Sequence, residues 1–330
     1  METYRVRGST STAKKLLLPL SFGSSSASLL HILDQHLQVQ YQKMNRAAYE
    51  LHIVHVDLYL DATDRKSSSD LLEKYKVRFP RHKYSRVGLE DALYLESINW
   101  KSLGLENAPK LDSEKSGTEQ LQELIGVMPS ATSKADIVST LLTRLLVDIA
   151  QKNDCETILF GDSTTRLAEK TLTETAKGRG FSLPWQVSDI MSPYGIGFNY
   201  PLRDLLKKEL VAFSSLTSPS LTELTIRQEP SSHISASSKL VTIDDLMAQY
   251  FESVEENYPS IVANVVRTSS KLQTLNGELT KSCGLCGLPV SHGTDGIFGW
   301  GGDQNSESRV EIEQVEKGIL CYGCSRSING

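Results

Sequence analysis

The chain has 330 residues, 35 Lys+Arg against 40 Asp+Glu for a formal net charge of −5, and only five cysteines. Hydrophobic content of 39% and charged content of 23% are those of a globular protein, which excludes a disordered tail protein. No apolar run reaches the roughly 18–20 residues of a membrane span, and the start of the chain lacks a secretory signal, so the composition points to a soluble protein in a reducing, intracellular compartment.

In chain order, residues 15–20 read as a buried strand that runs into Ser21-Phe22-Gly23-Ser24-Ser25-Ser26, and Leu29, Leu30, Leu33 and Leu37 at helical spacing predict a helix over 27–41. Residues 51–58 are apolar on both faces, as in a parallel strand covered on each side. A polar loop is expected over 61–70, a strand over 84–89, a helix over 90–103 and a charged linker over 104–119. Ile137, Leu141, Leu145 and Ile149 mark a helix over 134–152, capped by Ser133, that feeds a strand at 157–160. After Gly161-Asp162-Ser163-Thr164-Thr165-Arg166 a further helix runs to about Lys177, and 183–187 supplies a fifth strand. This alternation predicts an α/β fold with a doubly wound parallel sheet.

The second half differs. A helix with proline at its start is expected over 201–213, and residues 214–238 hold nine Ser and three Thr, the composition of an exposed insertion. Helices over 243–256 and 259–272 lead to a cysteine module. The resulting division is an α/β domain over 14–213, a Ser/Thr-rich insertion over 214–240, a helical region over 241–280 and a metal module over 281–328.

Cys283-Gly284-Leu285-Cys286 and Cys321-Tyr322-Gly323-Cys324 are two Cys-x-x-Cys turns that offer four sulfurs for tetrahedral zinc. The 34 intervening residues exceed the usual spacing, so a segment such as 301–317 must loop out. Two redox dithiols, an iron–sulfur cluster and His292 as a rival ligand are the alternatives. The turn at 21–26 lies where a doubly wound sheet binds ligands, and its Gly23 would let a phosphate approach the backbone, although a plain helix start is an equally simple reading; no Gly-Lys-Ser/Thr follows, so it is not a Walker motif.

Together these motifs resemble a family. The segment from Leu18 to Leu30 looks like an eroded form of the pyrophosphate loop Ser-Gly-Gly-x-Asp-Ser of PP-loop ATPases, which are adenine nucleotide alpha hydrolase-like in fold. Gly161 to Arg166 falls where tRNA-thiolating members carry Gly-His-Asn-x-x-Asp, and Tyr200-Pro201-Leu202-Arg203-Asp204 resembles their Arg-Pro-Leu-Arg segment. With Lys177-Gly178-Arg179-Gly180 and the terminal cysteines, the order is similar to that of the cytoplasmic tRNA 2-thiolation protein 2 family.

The resemblance implies a cytoplasmic, non-catalytic subunit of a heterodimer. Its catalytic thiouridylase partner converts the wobble uridine of Lys, Glu and Gln tRNAs to 2-thiouridine, with sulfur delivered as the thiocarboxylate of a ubiquitin-like carrier. It implies a degenerate nucleotide site at Ser21, Gly23, Ser24, Ser25, Ser26, Gly161 and Asp162, no catalytic residue, structural zinc on Cys283, Cys286, Cys321 and Cys324, and no membrane. ATP binding is called into question. Phe22 and Ser25 stand where active relatives carry the loop's first glycine and the aspartate, and the lost carboxylate was a hard ligand suited to Mg²⁺. The paired sulfur-transfer cysteines are also missing, since only Cys155 lies outside the module, and it reads as a buried structural thiol. The relatives also carry an N-terminal cysteine-rich finger and none stands before residue 14, as expected of a truncated product or gene model.

RNA contact is expected at Lys74, Lys76, Arg78, Arg81, Lys83 and Arg86, a stretch with six cations, no acid and interleaved aromatics, although a solvated loop and strand edge explains it equally. A second set comprises Arg166, Lys177, Arg179, Arg203, Lys207 and Lys208. His31, His36, His52 and His55 read as structural. The competing functions are an ATP-dependent tRNA uridine sulfurtransferase active by itself and a zinc-dependent RNA-binding assembly module.

Overall fold

Leucines at three successive positions of the first strand divide between two cores, because strand side chains alternate faces. Leu16 and Leu18 join Leu30, Leu33, Ile53, Tyr75 and Phe79 on one side of the sheet, while Leu17 joins Val54, Leu141, Leu145, Ile158 and Phe198 on the other. The structure, a computed structural model, describes residues 13–58, 62–100, 115–226, 241–273, 281–290 and 320–330. Its main sheet has the order β3-β2-β1-β4-β6-β5, with β1 Lys14–Pro19, β2 Tyr49–Asp57, β3 Lys83–Gly88, β4 Thr157–Leu159, β5 Ile190–Met191 and β6 Gly197–Asn199. All neighbours are parallel except β5, which pairs antiparallel with β6. The order reverses between β1 and β4, and in such sheets the crevice beyond the strands' carboxyl ends at that point is where ligands bind.

Helix α1, Ser24–Met44, follows β1 and ends on Asn45, whose left-handed φ of 49° lets its N–H reach the Tyr41 carbonyl at 3.0 Å. The stretch expected as a polar loop at 61–70 is instead the start of α2, Ala62–Arg78. Leu72 and Tyr75 on this helix, with Phe79 just beyond it, are buried at helical spacing against α1, and this packing overrides the weak propensity of the serine run. The helix expected over 90–103 is a 3₁₀ turn at Leu89–Tyr94, and the expected linker contains α3, Gly117–Gly126, opened by a capping box between Ser116 and Glu119. Residues 104–114 lie outside the described residues.

Helices α4, Ala131–Lys152, and α5, Thr164–Ala176, fall where expected, but α4 starts three residues earlier and its cap is Ser130, whose hydroxyl accepts from Ser133 N–H at 3.0 Å, instead of Ser133. The fifth strand does not fall at 183–187. That segment is the short helix α6, Leu183–Val187, with Pro184 in its first turn, and the sheet is completed by β6 and β5. Proline 201 begins a run of turns instead of a helix, and α7 spans Lys207–Leu216. The first part of the serine-rich insertion is packed: Leu221 and Leu224 are buried, Tyr75 donates to the Leu224 carbonyl at 2.8 Å, and Ile226 N–H donates to the Phe22 carbonyl at 2.9 Å. The rest, 227–240, lies outside the described residues.

Helices α8, Ile243–Asn257, and α9, Pro259–Ser269, pack on α5. Glu255 of α8 accepts from Thr165 Oγ1 at 2.5 Å and from Lys208 N–H at 2.9 Å, so a buried carboxylate fastens the starts of α5 and α7 together. A hairpin of β7 Lys281–Ser282 and β8 Pro289–Val290 carries the first cysteine pair, and α10, Tyr322–Asn329, carries the second at its start. Among the described residues no helix is long and apolar enough to cross a membrane.

Candidate functional site

The two cysteine pairs converge on one point. All four Sγ atoms lie within 4.8 Å of one another, and Cys286 Sγ is 3.8 Å from Cys321 Sγ, far beyond the about 2.05 Å of a disulfide. A tetrahedral ion with metal–sulfur bonds of about 2.3 Å separates its ligands by about 3.8 Å, so the donors suit a single four-coordinate ion. A cubane cluster takes one thiolate at each iron and spreads its ligands more widely. Two independent dithiols are likewise disfavoured, because the pairs face each other. Gly287 N–H donates to the Cys283 carbonyl at 2.8 Å, closing the first turn, and Cys321 N–H donates to Cys283 Sγ at 3.4 Å. Hydrogen bonds from the Cys286, Cys321 and Cys324 thiols and that N–H hold the Cys283 thiol well below its ordinary pKa. His292 and residues 301–317 lie outside the described residues.

The centre is part of the main core. Cys283, Leu285, Cys286, Leu288, Val290, Cys321, Cys324 and Ile328 belong to the same buried cluster as Leu141, Leu145 and Ile158. Tyr194 donates to the Cys286 carbonyl at 2.5 Å while its ring carries the Arg144 guanidinium 5.3 Å from the centroid. Arg179, 4% exposed, donates from Nη2 to Cys324 Sγ at 3.5 Å and through both terminal nitrogens to Asp136. Lys177 is equally buried, 3.4 Å from Asp136 and 2.7 Å from Asp244. Neither Lys177 nor Arg179 presents its charge to solvent, which corrects their place among RNA-facing cations. Asp136 stays below the ordinary carboxylate range, because although burial opposes its charge, Arg179 and Lys177 outweigh it.

The resembling motifs also meet, at the carboxyl edge of the sheet. Ser24, Ser25 and Ser26 form the first turn of α1, and Ser21 Oγ lies 3.1 Å from Ser26 Oγ. A Cβ on Gly161 would lie 3.0 Å from Ser26 Cα, so the first and second motifs touch. Thr164 N–H donates to the Leu205 carbonyl at 2.8 Å, and its hydroxyl donates to the Arg203 carbonyl at 2.7 Å, which brings in the third.

Several polar groups of the motifs are engaged with other protein groups, and the aromatic of the first motif is buried. Phe22 is wholly buried with φ of 60°, a left-handed conformation costly for a bulky side chain, and its ring stacks 4.1 Å from His55 and 5.5 Å from Tyr75. Asp162 is paired with Lys170 at 2.6 Å, and the Ser26 hydroxyl donates back to the Gly23 carbonyl at 3.0 Å. Gly23 caps α1 without a side-chain partner.

The basic stretch 74–86 is split by α2 and β3. Its aromatics are not displayed for stacking: Tyr75 and Phe79 are buried, and Tyr84 donates to the Phe79 carbonyl at 2.9 Å. Lys76 pairs with Glu73 at 2.7 Å, Arg78 donates to the Pro219 carbonyl at 2.6 Å, and Arg86 pairs with Asp57 at 2.8 Å. Lys74 is exposed on α2. Arg81, 3.5 Å from Asp34, and Lys83, which donates to Asn153 Oδ1 at 2.7 Å, join Lys15 around a cavity of about 290 Å³ at the amino edge of the sheet. Cys155 lines its floor, and burial pushes that thiol's pKa up, contrary to what a nucleophile needs. In the second basic set, Arg166 is tied to Glu169 at 2.8 Å, Lys207 N–H donates to Thr165 Oγ1 at 3.0 Å and Lys208 Nζ donates to the Glu255 carbonyl at 3.0 Å.

Histidines 31, 52 and 55 are buried, and burial lowers the pKa of each. The unfolded chain therefore takes up protons below its ordinary histidine pKa of about 6.5 while the folded chain does not. Stability is expected to be complete above that pH and to fall as pH drops towards the folded values, and urea midpoints at pH 7.5 and 5.5 measure this. A midpoint unchanged or higher at pH 5.5 contradicts it.

Sheet order, motif positions and the converging cysteines together define a PP-loop-type α/β protein with four thiols placed where they could hold a metal ion. A solved structure, "U34-tRNA thiolase NcsA from Methanococcus maripaludis" with its 4Fe-4S cluster, matches with a TM-score of 0.54 over 84% of this chain and 78% of that one, at 15% identity, which shows the shared fold. Residues 242–326 match the family model described as Cytoplasmic tRNA 2-thiolation protein 2. A relative of that name from Sclerotinia sclerotiorum is 66% identical over 265 residues, covering 80% of this chain and 71% of the relative. Another from Phaeosphaeria nodorum is 48% identical across 99% of this chain and 85% of its own length. The chain belongs to the cytoplasmic tRNA 2-thiolation protein 2 family.

Proposed function

We propose that this chain is the accessory, non-catalytic subunit of a cytoplasmic heterodimer that 2-thiolates the wobble uridine of Lys, Glu and Gln tRNAs. The catalytic subunit performs the chemistry, with sulfur from a thiocarboxylated ubiquitin-like carrier. The observation that carries the accessory role is Phe22: a core-buried aromatic with a left-handed backbone stands where an active loop carries the glycine that exposes backbone to pyrophosphate. Ser25 in place of a carboxylate and Asp162 held by Lys170 support the same reading, as does the buried, high-pKa Cys155. The four cysteines hold a structural zinc ion, and their spacing favours one ion over a cluster. The family's name and the exposed Lys74, Arg81 and Lys83 support tRNA contact along α2 and the amino edge of the sheet, shared with the partner.

Purified chain with tRNA, ATP–Mg²⁺ and thiocarboxylated carrier is expected to form no 2-thiouridine by mass spectrometry until the catalytic subunit is added. Thiolation by the chain alone, at a rate the partner does not change, contradicts the accessory role. Metal analysis of the same preparation is expected to give one zinc per chain.

A further inference from the structure

Lys177-Gly178-Arg179-Gly180 lies among the RNA-facing cations in the sequence, but the fold turns its two charges inward. We propose that this loop is the charge-compensating cradle of the metal centre, and that Arg179 is the positioning residue for the Cys324 thiolate. This goes beyond the tRNA reading and rests only on the four-thiolate metal site.

Four thiolates around a divalent ion carry a net double negative charge. Here that charge is buried: Cys324 is 0%, Cys283 and Cys321 2%, and Cys286 6% exposed. Such a charge persists in an interior only when paired and hydrogen-bonded. Arg179 Nη2 donates to Cys324 Sγ at 3.5 Å, and the same Nη2 and Nη1 donate to the two oxygens of Asp136 on α4. Ser327 on α10 donates to the same carboxylate at 2.5 Å, and the Lys177 ammonium joins that carboxylate to Asp244 on α8. The guanidinium is therefore locked in direction by groups from three other elements before it meets the sulfur.

The two loops are also shaped to each other. A Cβ on Gly323, inside the second cysteine turn, would lie 2.5 Å from the Arg179 stem, and one on Gly178, whose φ is +74°, would lie 2.4 Å from the Tyr322 ring. Each loop uses a glycine to admit a large side chain of the other. An interlock of this kind orients a ligand and tunes its metal, and loss of such partners elsewhere weakens metal binding by about 10–100-fold.

The test uses the full chain loaded with zinc. Metal content of the unaltered chain is measured first. Zinc affinity is then measured by competition with a chromogenic chelator, and the thiolate-to-cobalt absorption band is recorded after Co²⁺ substitution. In Arg179→Met, affinity is expected to fall about 10–100-fold and the cobalt band to shift, with far-ultraviolet circular dichroism unchanged. Arg78→Met on α2, remote from the sulfurs, is expected to change neither. If Arg179→Met does not fold, Arg179→Lys carries the test, because an ammonium cannot span Asp136 and the sulfur in the fork geometry; a shifted band and several-fold weaker binding are expected. Unchanged affinity and band in a folded Arg179 variant overturn this inference alone, since a purely structural ion pair would alter stability without moving either. An unaltered chain that holds no metal overturns the metal reading as well.

Discussion

Cys286→Ser, or treatment of the metal-loaded chain with a chelator, is expected to lower the melting temperature of the whole α/β core in a single transition, by roughly 10 °C. That figure follows from a loss of about 3–5 kcal/mol when a buried charge loses its partner, at about 2–4 °C per kcal/mol for a large domain. The size of the effect comes from placement. The sulfurs share one apolar cluster with α4 and β4, Asn99 N–H donates to the Gly284 carbonyl at 3.4 Å, and Tyr194 donates to the Cys286 carbonyl. Without the ion, the interior holds thiols that cannot all ionise together, beside an Arg179 that keeps Asp136 but no longer faces a thiolate. Differential scanning calorimetry with and without chelator measures the shift. A small separate transition with the main one unmoved would show that the cysteine module unfolds independently of the core.

Phe22 variants are expected to lose stability in an order that reports on backbone conformation. Deleting a fully buried ring costs about 3–5 kcal/mol, and here it also removes the stacks on His55 and Tyr75. Phe22→Ala bears that cost with the left-handed strain intact. Phe22→Gly relieves about 1–2 kcal/mol of that strain, for a net loss of about 2–3 kcal/mol. Glycine should therefore be the more stable of the two by about 1 kcal/mol in urea titrations. Alanine equal to or better than glycine would contradict the positive φ. Opening the turn is not expected to restore ATP–Mg²⁺ binding in calorimetry, because Ser25 offers no carboxylate and Asp162 remains with Lys170.

Phe22 also shows where sequence reading succeeds and stops. A phenylalanine at a glycine position marked the loop as eroded. The tertiary structure adds that the aromatic adopts a left-handed backbone, the conformation that favours glycine, and turns its ring into the core. The helix at 62–78 was illegible because its apolar face begins only at Leu72 and is completed by Tyr75 and Phe79 against α1. Residues 183–187 do not disclose their form, because a segment this short with apolar Leu183, Trp185 and Val187 suits a buried strand or a buried helical turn equally. Glu255 and Asp136 carry no local signal, because nothing in the spacing distinguishes them from the other acids of α8 and α4.

By itself the sequence determined the β–α alternation, the order of the eroded motifs that identifies the family, and the tetrathiolate chemistry of two Cys-x-x-Cys turns. These are short-range properties, written in periodicity and spacing. Only the tertiary structure decided which charges face solvent and which face the four cysteines. Arg179 stands 43 residues from Asp136 and 145 from Cys324, and no local pattern shows that its fork closes on both. The net charge of −5 conceals the same distinction, since some cations at its surface are available to a polyanion while Lys177 and Arg179 are consumed inside the core.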